Sequence, residues 1–192
     1  MPILIVVCAA CGFLLILELA FGWGVPQRST VAAGTIFLRQ PQTGSGFMMR
    51  LRIPRINVNA AIESVGLTSN GAMDVPSDPD HVGWYNLGPP PGAPGNAGFA
   101  GHVDWYRGRT AVFQHLNKLQ KDDVLFIDTG TGKLLTFIVR EIRVYQPTDY
   151  APDVFQKSNG SHLNLVTCGG VWDPVRKIYS ERLVVFTDAA AL

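Results

Sequence analysis

Residues 163–170 read Leu-Asn-Leu-Val-Thr-Cys-Gly-Gly, a mainly apolar run that ends on a thiol and two glycines. A short apolar run bounded by turn residues predicts a buried strand. Cys168 would then lie at the end of a rigid element, with the next positions open to a substrate. Because the thiolate is the attacking form, a neighbouring imidazolium or guanidinium would favour reactivity. A buried, inert cysteine is the alternative interpretation.

A histidine follows a second strand candidate. Residues 98–104 read Gly-Phe-Ala-Gly-His-Val-Asp, so small residues precede His102 and predict a sharp turn that leaves its ring accessible. An imidazole titrates near neutral pH and can exchange protons with a nucleophile or a leaving amine. A turn histidine bonded to the backbone is the alternative.

An arginine opens a third apolar run at residues 179–186, which read Tyr-Ser-Glu-Arg-Leu-Val-Val-Phe. If the strands on either side of the intervening loop are neighbours, Cys168 and Arg182 lie on one rim. A fixed guanidinium there can stabilise the oxyanion of a tetrahedral intermediate or hold the substrate backbone. A solvated charge at a strand end is the alternative.

The chain from residue 48 onward carries mainly strand signals. Strands are predicted at 50–53, 58–62, 96–103, 124–128, 134–145, 163–167 and 183–186. The long strand at 134–145 is expected to bend. Helical spacing of apolar residues predicts one short helix at 110–119, and a helical turn is predicted at 152–156. Many short strands with little helix indicate an all-β barrel or sandwich.

The first residues have a different character. Between residues 2 and 23 the single charged side chain is Glu18, and the apolar segment 3–20 approaches the ~30 Å thickness of a hydrocarbon layer. This predicts a membrane anchor, or a cleaved signal segment, at 1–23. A Pro-, Gly- and Gln-containing stretch at 24–47 is predicted to be a linker, and 48–192 to be the catalytic domain.

The orientation of such an anchor has conflicting signals. Arg28 and Arg39 follow the apolar segment and no basic residue precedes it, which by the positive-inside rule favours a cytoplasmic domain. Long folded domains are nevertheless translocated despite such charges. Cys8 and Cys11 lie inside the apolar segment, so Cys168 is the one cysteine of the predicted catalytic domain. Outside the cytoplasm an unused free thiol is an oxidation liability.

The composition and net charge of the chain argue against some classes of function. The chain has 192 residues, 47% of them apolar, and a formal net charge of +1, which gives no reason to expect nucleic acid as a partner. Neither a zinc-type spacing nor a phosphate-binding glycine loop occurs in the sequence. We therefore predict no cofactor and no metal. Asp74, Asp78 and Asp80 form an acidic loop, which we interpret as solvated turn carboxylates rather than a cation site.

The three sites together resemble the sortase family of cysteine transpeptidases. His102 follows a small-residue strand, and Asn-Leu-Val-Thr-Cys ends the next strand, with Asn164 where the family pattern has Thr. Arg182 precedes the last strand, and the resemblance covers about residues 48–188. Segments 74–76, 82–85, 101–104 and 167–170 are most similar to class F. In that class the arginine can lie two residues earlier, where this chain has Ser180, and Arg176 is the fallback candidate.

The resemblance implies a closed sortase-type β-barrel of about eight strands with short helices, joined to an N-terminal transmembrane helix. It implies that Cys168 attacks the Thr–Gly carbonyl of a C-terminal Leu-Pro-x-Thr-Gly-like sorting signal and forms a thioacyl-enzyme. His102 would transfer protons, Arg182 would stabilise the oxyanion, and Thr167 and Gly169 would bind substrate. The acceptor would be an amine of a cell-wall precursor or a pilin lysine. The protein would be single-pass, with its catalytic domain extracytoplasmic.

Other side chains receive simpler interpretations. Asp104 is predicted to be structural, although its position allows it to orient His102. Trp105, Tyr106 and Trp172 either line a groove or pack at its rim. The loops at 88–95 and 146–160 are candidates for setting specificity. Three histidines without a partner pattern are expected at the surface, namely His81, His115 and His162.

Two alternative functions stay open. An L,D-transpeptidase-like enzyme also uses cysteine and histidine in a β-rich domain, but no histidine lies within five residues of Cys168 and two glycines follow it. A catalytically inactive, sortase-shaped binding module is the non-enzymatic alternative. The intact set of histidine, cysteine and arginine argues against it.

Overall fold

The computed structural model describes residues 48–156 and 158–190, and eight of its strands close into a barrel. The strands in chain order are β1 (Arg50–Ile53), β2 (Val58–Val65), β3 (Val82–Tyr85), β4 (Gly95–Ala100), β5 (Asp104–Trp105), β6 (Arg109–Thr110), β7 (Val124–Asp128), β8 (Leu134–Tyr145), β9 (Ser161–Asp173) and β10 (Ile178–Ala189). Hydrogen-bonded neighbours follow the order β1-β2-β3-β4-β9-β10-β8-β7 around the barrel, while β5 and β6 form a separate hairpin. The predicted all-β closed barrel is confirmed.

Helical structure in the described part of the chain is limited to short 3-10 helices. They lie at Pro54–Ile56, Tyr106–Gly108, Leu116–Lys118 and Pro152–Val154. The helix predicted at 110–119 is therefore wrong, since a single turn forms near its end. Its apolar side chains are nevertheless buried in the barrel core, namely Phe113, Leu116 and Leu119. The spacing thus reflects an irregular segment packed into the core.

The predicted anchor at 1–23 and linker at 24–47 lie outside the described residues. No helix within residues 48–156 and 158–190 is both long and apolar enough to span a bilayer. The boundaries of the three predicted segments stay predictions.

Several strand boundaries agree with the sequence prediction. Those of β1, β7 and β8 are the predicted ones. β9 and β10 extend beyond the predicted runs because they continue into a hairpin that turns at residues 174–177. β8 contains an irregularity at Arg140, opposite the step from Phe186 to Thr187 in β10. A β-bulge of this kind bends a strand, as expected for the long run at 134–145.

Apolar side chains cover both faces of the sheet around β9 and β10. The barrel interior contains large buried side chains that include Leu51, Ile53, Phe99, Phe113, Leu125, Ile127, Phe137, Leu163, Leu165 and Val185. A second cluster forms around Val154, Val184 and Phe186. Alternate residues of β10 belong to the two clusters, so the loop between β8 and β9 covers the outer face of the sheet. This double burial explains why 163–167 and 183–186 read as continuous apolar runs.

β4 pairs with β9 in parallel over its whole length, and every residue of β4 is buried. A Cβ atom on Gly98 would lie 2.6 Å from the Phe155 ring. A Cβ atom on Gly101 would lie 2.5 Å from the Phe113 ring. Neither glycine has a positive φ, so close packing, and not the predicted sharp turn, explains the small residues before His102.

Gly101→Ala is expected to lower the free energy of unfolding by about 1–3 kcal/mol, because the added methyl group overpacks the buried Phe113 ring. Urea denaturation measures the difference. Gly66→Ala is the matched control, since its Cβ would meet no atom closer than 4.0 Å and its φ is not positive. We expect that control to change the free energy by less than about 0.5 kcal/mol. Equal destabilisation of the two variants would contradict the packing argument.

Candidate active site

The three predicted catalytic residues lie in one row across β9, β10 and the segment that follows β4. Ala100, Val166 and Val184 are register partners on these strands. Side chains alternate between the two faces of a strand with a period of two. Two positions further in the same direction, Cys168 and Arg182 follow on the same outer face, and the segment that leaves β4 carries His102.

The chain stays attached to β9 beyond the end of β4. Gly101 N–H donates to the carbonyl of Val166 at 3.2 Å, and Thr167 Oγ1 donates to the carbonyl of Gly101 at 2.8 Å. The carbonyl of His102 accepts from the amide of Phe113 at 2.9 Å. These bonds hold the backbone of the histidine beside β9. The Thr167 hydroxyl is engaged in this contact, and its predicted role toward substrate stays a prediction.

Cys168 and Arg182 are direct partners in the antiparallel pair β9–β10. Opposed residues of such a pair have Cβ atoms about 5 Å apart, so the thiol and the guanidinium are neighbours on one face. The guanidinium is oriented by its own strand, since Nη1 donates to the carbonyls of Glu181 at 2.9 Å and Tyr179 at 3.3 Å. Its other N–H groups make no hydrogen bond within the described residues and can donate to a substrate oxygen.

The alternatives to Arg182 lie further along the same hairpin. Arg176 is in the exposed turn, where its Nε lies 3.9 Å from an oxygen of Asp173. Ser180 lies at a β-bulge, and its Oγ accepts from Val171 N–H at 2.9 Å. Arg182 is therefore the arginine that the register brings opposite the cysteine.

The bulge beside the cysteine depends on glycine. Gly170 has a φ of 75°, in the left-handed region that glycine tolerates best. A Cβ atom there would lie 2.2 Å from Ser180 Oγ. Gly169, predicted to bind substrate, lines the cavity next to Cys168, and that role stays a prediction.

Cys168 is half-buried and opens into a cavity of about 340 Å³. Burial raises the pKa of the thiol, the positive charge of Arg182 lowers it, and the negative charge of Asp104 raises it. Burial is the largest of these effects, and the net result is a pKa above the ordinary thiol value. The neutral thiol is therefore the resting form near neutral pH, and reaction requires a base that removes its proton.

The imidazole of His102 is oriented by a backbone carbonyl. Nε2 lies 2.9 Å from the carbonyl oxygen of Pro76. Because a carbonyl oxygen only accepts, Nε2 carries a proton and donates it. Nδ1 is then the nitrogen that exchanges protons with reacting groups. The Trp105 ring packs against the imidazole with 4.8 Å between centroids and 66° between planes.

The Pro76 carbonyl belongs to a loop that is tied to β2. Ser77 N–H donates to Glu63 Oε1 at 2.6 Å. The other Glu63 oxygen lies 3.6 Å from His81 Nδ1. Glu63 therefore acts on His102 through the loop as a positioning residue. The sequence gives no signal for this contact, since a backbone carbonyl has no residue-type signature.

Tyr179 and Asp104 form a second contact that sequence reasoning missed. The Tyr179 hydroxyl donates to Asp104 Oδ2 and so ties the β5–β6 hairpin to β10. Burial and this hydrogen bond raise the pKa of Tyr179 to about 12, which keeps the phenol protonated. The two residues are 75 positions apart in the chain, so no local pattern links them. The contact agrees with a structural role for Asp104.

Two asparagines hold the loop between β8 and β9. Asn96 Nδ2 donates to the carbonyls of Gln156 at 2.7 Å and Asp153 at 2.9 Å. Asn164 Nδ2 donates to the carbonyl of Val154 at 2.9 Å. Asn164 is the position where the strand departs from the family pattern, and its amide supplies a donor that reaches this loop.

The acidic loop before β3 is engaged in local contacts. Asp74 and Asp78 each accept a nearby backbone N–H at 2.9 Å, and Asp80 pairs with Arg109. Across residues 48–156 and 158–190, no group of three or more His, Cys, Asp or Glu side chains is arranged to hold a metal ion.

Of the three histidines expected at the surface, His81 is half-buried beside Glu63. His115 is exposed, as predicted. His162 is half-buried and its Nδ1 lies 2.7 Å from Asp188 Oδ1, so the surface interpretation of His162 is wrong. The carboxylate that pairs with it comes from the neighbouring strand β10, 26 positions away, which explains why no partner pattern was visible.

Fold and candidate site together suit one class of enzyme. A thiol supplies a nucleophile, an imidazole carries protons, and a guanidinium stabilises an oxyanion. Cys168 and Arg182 share one face of a closed barrel, and His102 is on the segment that follows the adjacent strand, which suits a cysteine-dependent acyl-transfer enzyme.

Comparison with known proteins identifies the family. A family model described as the sortase domain matches residues 51–190. The chain therefore belongs to the sortase family. No curated protein sequence matches it.

Solved sortase structures share the fold. Sortase C-1 from Actinomyces oris is similar with a TM-score of 0.60 and 24% identity, over 75% of this chain and 74% of that one. Sortase A from Corynebacterium diphtheriae has a TM-score of 0.59 and 22% identity, over 76% of this chain and 61% of that one. A Clostridium perfringens sortase D5 transpeptidase has a TM-score of 0.57 and 25% identity, over 75% and 79%. Family and fold support a transpeptidase, and the class F subtype stays a prediction.

Removing the charge of Arg182 is expected to raise the pKa of Cys168 further, whereas removing that of Asp104 is expected to lower it. The rate of iodoacetamide alkylation against pH follows the thiolate fraction. Its midpoint should move upward in Arg182→Gln and downward in Asp104→Asn. Arg176→Gln removes the same charge from the exposed turn and should leave the midpoint in place. Shifts of the first two variants in the same direction would contradict this electrostatic account.

The neutral imidazole of His102 is expected to be the Nε2–H tautomer, because Nε2 donates to the Pro76 carbonyl. Nitrogen chemical shifts of the labelled ring report the tautomer directly. Glu63→Ala should mix the two tautomers by releasing the loop at Ser77. Glu63→Gln should preserve the Nε2–H form, since the amide oxygen still accepts from Ser77 N–H. A wild-type Nδ1–H tautomer would rule out the proposed orientation.

Proposed function

We propose that this protein is a membrane-anchored cysteine transpeptidase that cleaves a C-terminal Leu-Pro-x-Thr-Gly-like sorting signal and transfers the protein to an amine at the cell surface. The single observation that carries the proposal is that Cys168 and Arg182 face each other on β9 and β10, while the segment that follows the adjacent strand β4 carries His102. Membership of the sortase family supports the same reaction class.

The first half of the reaction forms a thioester. Nδ1 of His102 takes the proton of the Cys168 thiol, and the thiolate adds to the Thr–Gly carbonyl carbon. The oxyanion that forms accepts hydrogen bonds from Arg182. When the intermediate collapses, the C–N bond breaks and the imidazolium returns its proton to the leaving amine. The product is a thioacyl-enzyme, with the neutral imidazole restored.

The second half uses the same groups in reverse. A neutral acceptor amine adds to the thioester carbonyl carbon, and the guanidinium again stabilises the oxyanion. Collapse breaks the C–S bond, and the new amide joins the substrate protein to the acceptor. The proton lost by the amine passes through His102 to the departing thiolate. Burial of Cys168 favours its return to the neutral thiol.

The outer face beside the catalytic row suits an apolar peptide. The β8–β9 loop surrounds a depression of about 400 Å³ that is lined by Tyr150, Ala151, Pro152 and Phe155, among others. Tyr150 is 86% exposed and is available to a ligand. Apolar side chains such as the leucine and proline of the signal match this lining. Asn96 and Asn164 hold the loop in position before substrate arrives.

Membrane attachment and orientation belong to the same proposal. The apolar segment at 3–20 would anchor the protein, and the linker at 24–47 would carry the barrel away from the bilayer. The catalytic domain would face outward, where sorting-signal proteins and amine acceptors of the envelope meet.

Incubation with a small library of Leu-Pro-x-Thr-Gly-like peptides and hydroxylamine tests the reaction. We expect cleavage at Thr–Gly and capture of the acyl group as a hydroxamate, measured by mass spectrometry. Cys168→Ala and His102→Ala should each lower the rate by at least about 1,000-fold, since the groups act as one unit. His115→Ala is the matched histidine control, because His115 is exposed and lies outside the row, and it should retain activity.

Circular dichroism of each variant separates loss of chemistry from loss of fold. Full activity of a folded Cys168→Ala protein would exclude the thioester mechanism. A wild-type thiol that resists methanethiosulfonate reagents, together with no cleavage of any peptide, would favour the inactive binding module instead.

A further inference from the structure

A cleft lined by four aromatic side chains lies next to the catalytic row. Its volume is about 590 Å³, and it lies between the β5–β6 hairpin and the end of the β9–β10 hairpin. We call it the aromatic cleft, and its rings are Trp105, Tyr106, Trp172 and Tyr179. The Trp172 and Tyr179 rings pack at 5.1 Å between centroids. The cleft is exposed, with Tyr106 at 75% and Trp172 at 46%.

The aromatic cleft is continuous with the reacting groups. The Trp105 ring packs on the His102 imidazole. Tyr179 lines both the cleft and the cavity at Cys168. The negative charge of Asp104 raises the pKa of the Cys168 thiol. A ligand in the cleft therefore lies beside the imidazole that has to deprotonate an incoming amine.

The charges of the aromatic cleft suggest the chemistry of its occupant. Asp104 lies at the wall, where one carboxylate oxygen accepts from Tyr179 and the other remains open to a donor. Aromatic faces beside a carboxylate attract a cation. Arg107 lies over the Tyr106 ring at 5.2 Å from its centroid, so one guanidinium also faces the cleft. A ligand that combines an ammonium with an acceptor for Arg107 would satisfy both charges.

We propose that the aromatic cleft binds the acceptor of the transfer reaction, a primary ammonium carried on an unbranched methylene arm of an amino acid. This rests on the function proposed above. The rings cover the methylene groups, Asp104 binds the ammonium, and Arg107 binds a carbonyl or carboxylate of the same amino acid. An amino-terminal glycine has no methylene arm to fill the cleft, so it is the disfavoured acceptor.

The chemical step balances with the groups present. The bound ammonium loses one proton to Nδ1 of His102, and the neutral nitrogen adds to the thioester carbonyl carbon. The C–S bond breaks and the amide forms. The nitrogen loses its second proton to the departing thiolate, which becomes the neutral Cys168 thiol. The ammonium thus loses two protons, one to His102 and one to the Cys168 thiolate.

The test is competition between acceptors for one thioacyl-enzyme. A Leu-Pro-x-Thr-Gly-like peptide forms the intermediate in the full chain, and equal concentrations of Nα-acetyl-lysine amide and glycinamide compete for it. Mass spectrometry measures the product ratio, which is independent of the rate of the first step. Wild type should favour the lysine product. Trp172→Ala and Asp104→Asn should each reduce that preference about three- to tenfold, as expected for loss of a cation–π partner or a counter-ion.

Val175→Ala is the matched control, because Val175 is 89% exposed in the turn of the same hairpin and does not line the cleft. It should leave the product ratio unchanged. A diamino acid with a carboxylate next to its amine separates two sources of the acceptor. If Arg107→Gln lowers the use of the diamino acid but not that of lysine amide, a wall-precursor amine is favoured. If it lowers the use of both, a protein lysine is favoured, and if it lowers the use of neither, the role of Arg107 is overturned.

The outcomes separate this inference from the function on which it rests. If no thioacyl-enzyme forms with any peptide, the proposed function fails. If it forms, but wild type shows no preference for the methylene-arm amine, or the Trp172→Ala and Asp104→Asn ratios equal the wild-type ratio, the acceptor site is overturned.

Discussion

The parallel pairing of β4 with β9 is the interaction on which the candidate site depends. Its register carries over from β9 to β10, and the two alignments together determine which residues share the outer face. A slip of one residue in either alignment would turn the imidazole or the guanidinium to the opposite face. Close packing secures the first alignment, since Gly98 and Gly101 leave room only for the rings that press on them.

The surroundings of the Cys168 thiol have two opposing effects on its ionisation. Burial favours the neutral form of Cys168, while the neighbouring guanidinium favours the thiolate. The neutral form prevails at rest, which protects Cys168 from oxidation, because the thiolate is the form that oxidises. In the proposed mechanism activation depends on His102, whose free nitrogen is defined by the contact of the other nitrogen with Pro76. In the same proposal, Arg182 contributes mainly once negative charge develops on the substrate.

Residue patterns predicted most of the barrel and the composition of the candidate site. β1, β7 and β8 were predictable because their polar and apolar residues, and the turns between them, are local signals. The segment at 110–119 was not, since Phe113 and Leu116 have helical spacing but are buried by the barrel around them. The roles of Asn164 and of the Pro76 carbonyl were also hidden, because both are contacts between distant segments. The same reason applies to the hydrogen bond between Tyr179 and Asp104.

The hydrogen bond from Thr167 to the Gly101 carbonyl spans 66 positions of the chain, and this separation has a kinetic consequence. Contacts between distant segments form late in folding, because the entropy of closing a long loop must be overcome first. In a newly made or unfolded chain, Cys168 is therefore separated from His102, the base of the proposed mechanism, by 66 positions of flexible chain. The proposed reactive centre is therefore complete only when the barrel closes. The final step of folding is also the step that creates the proposed reactivity of the thiol.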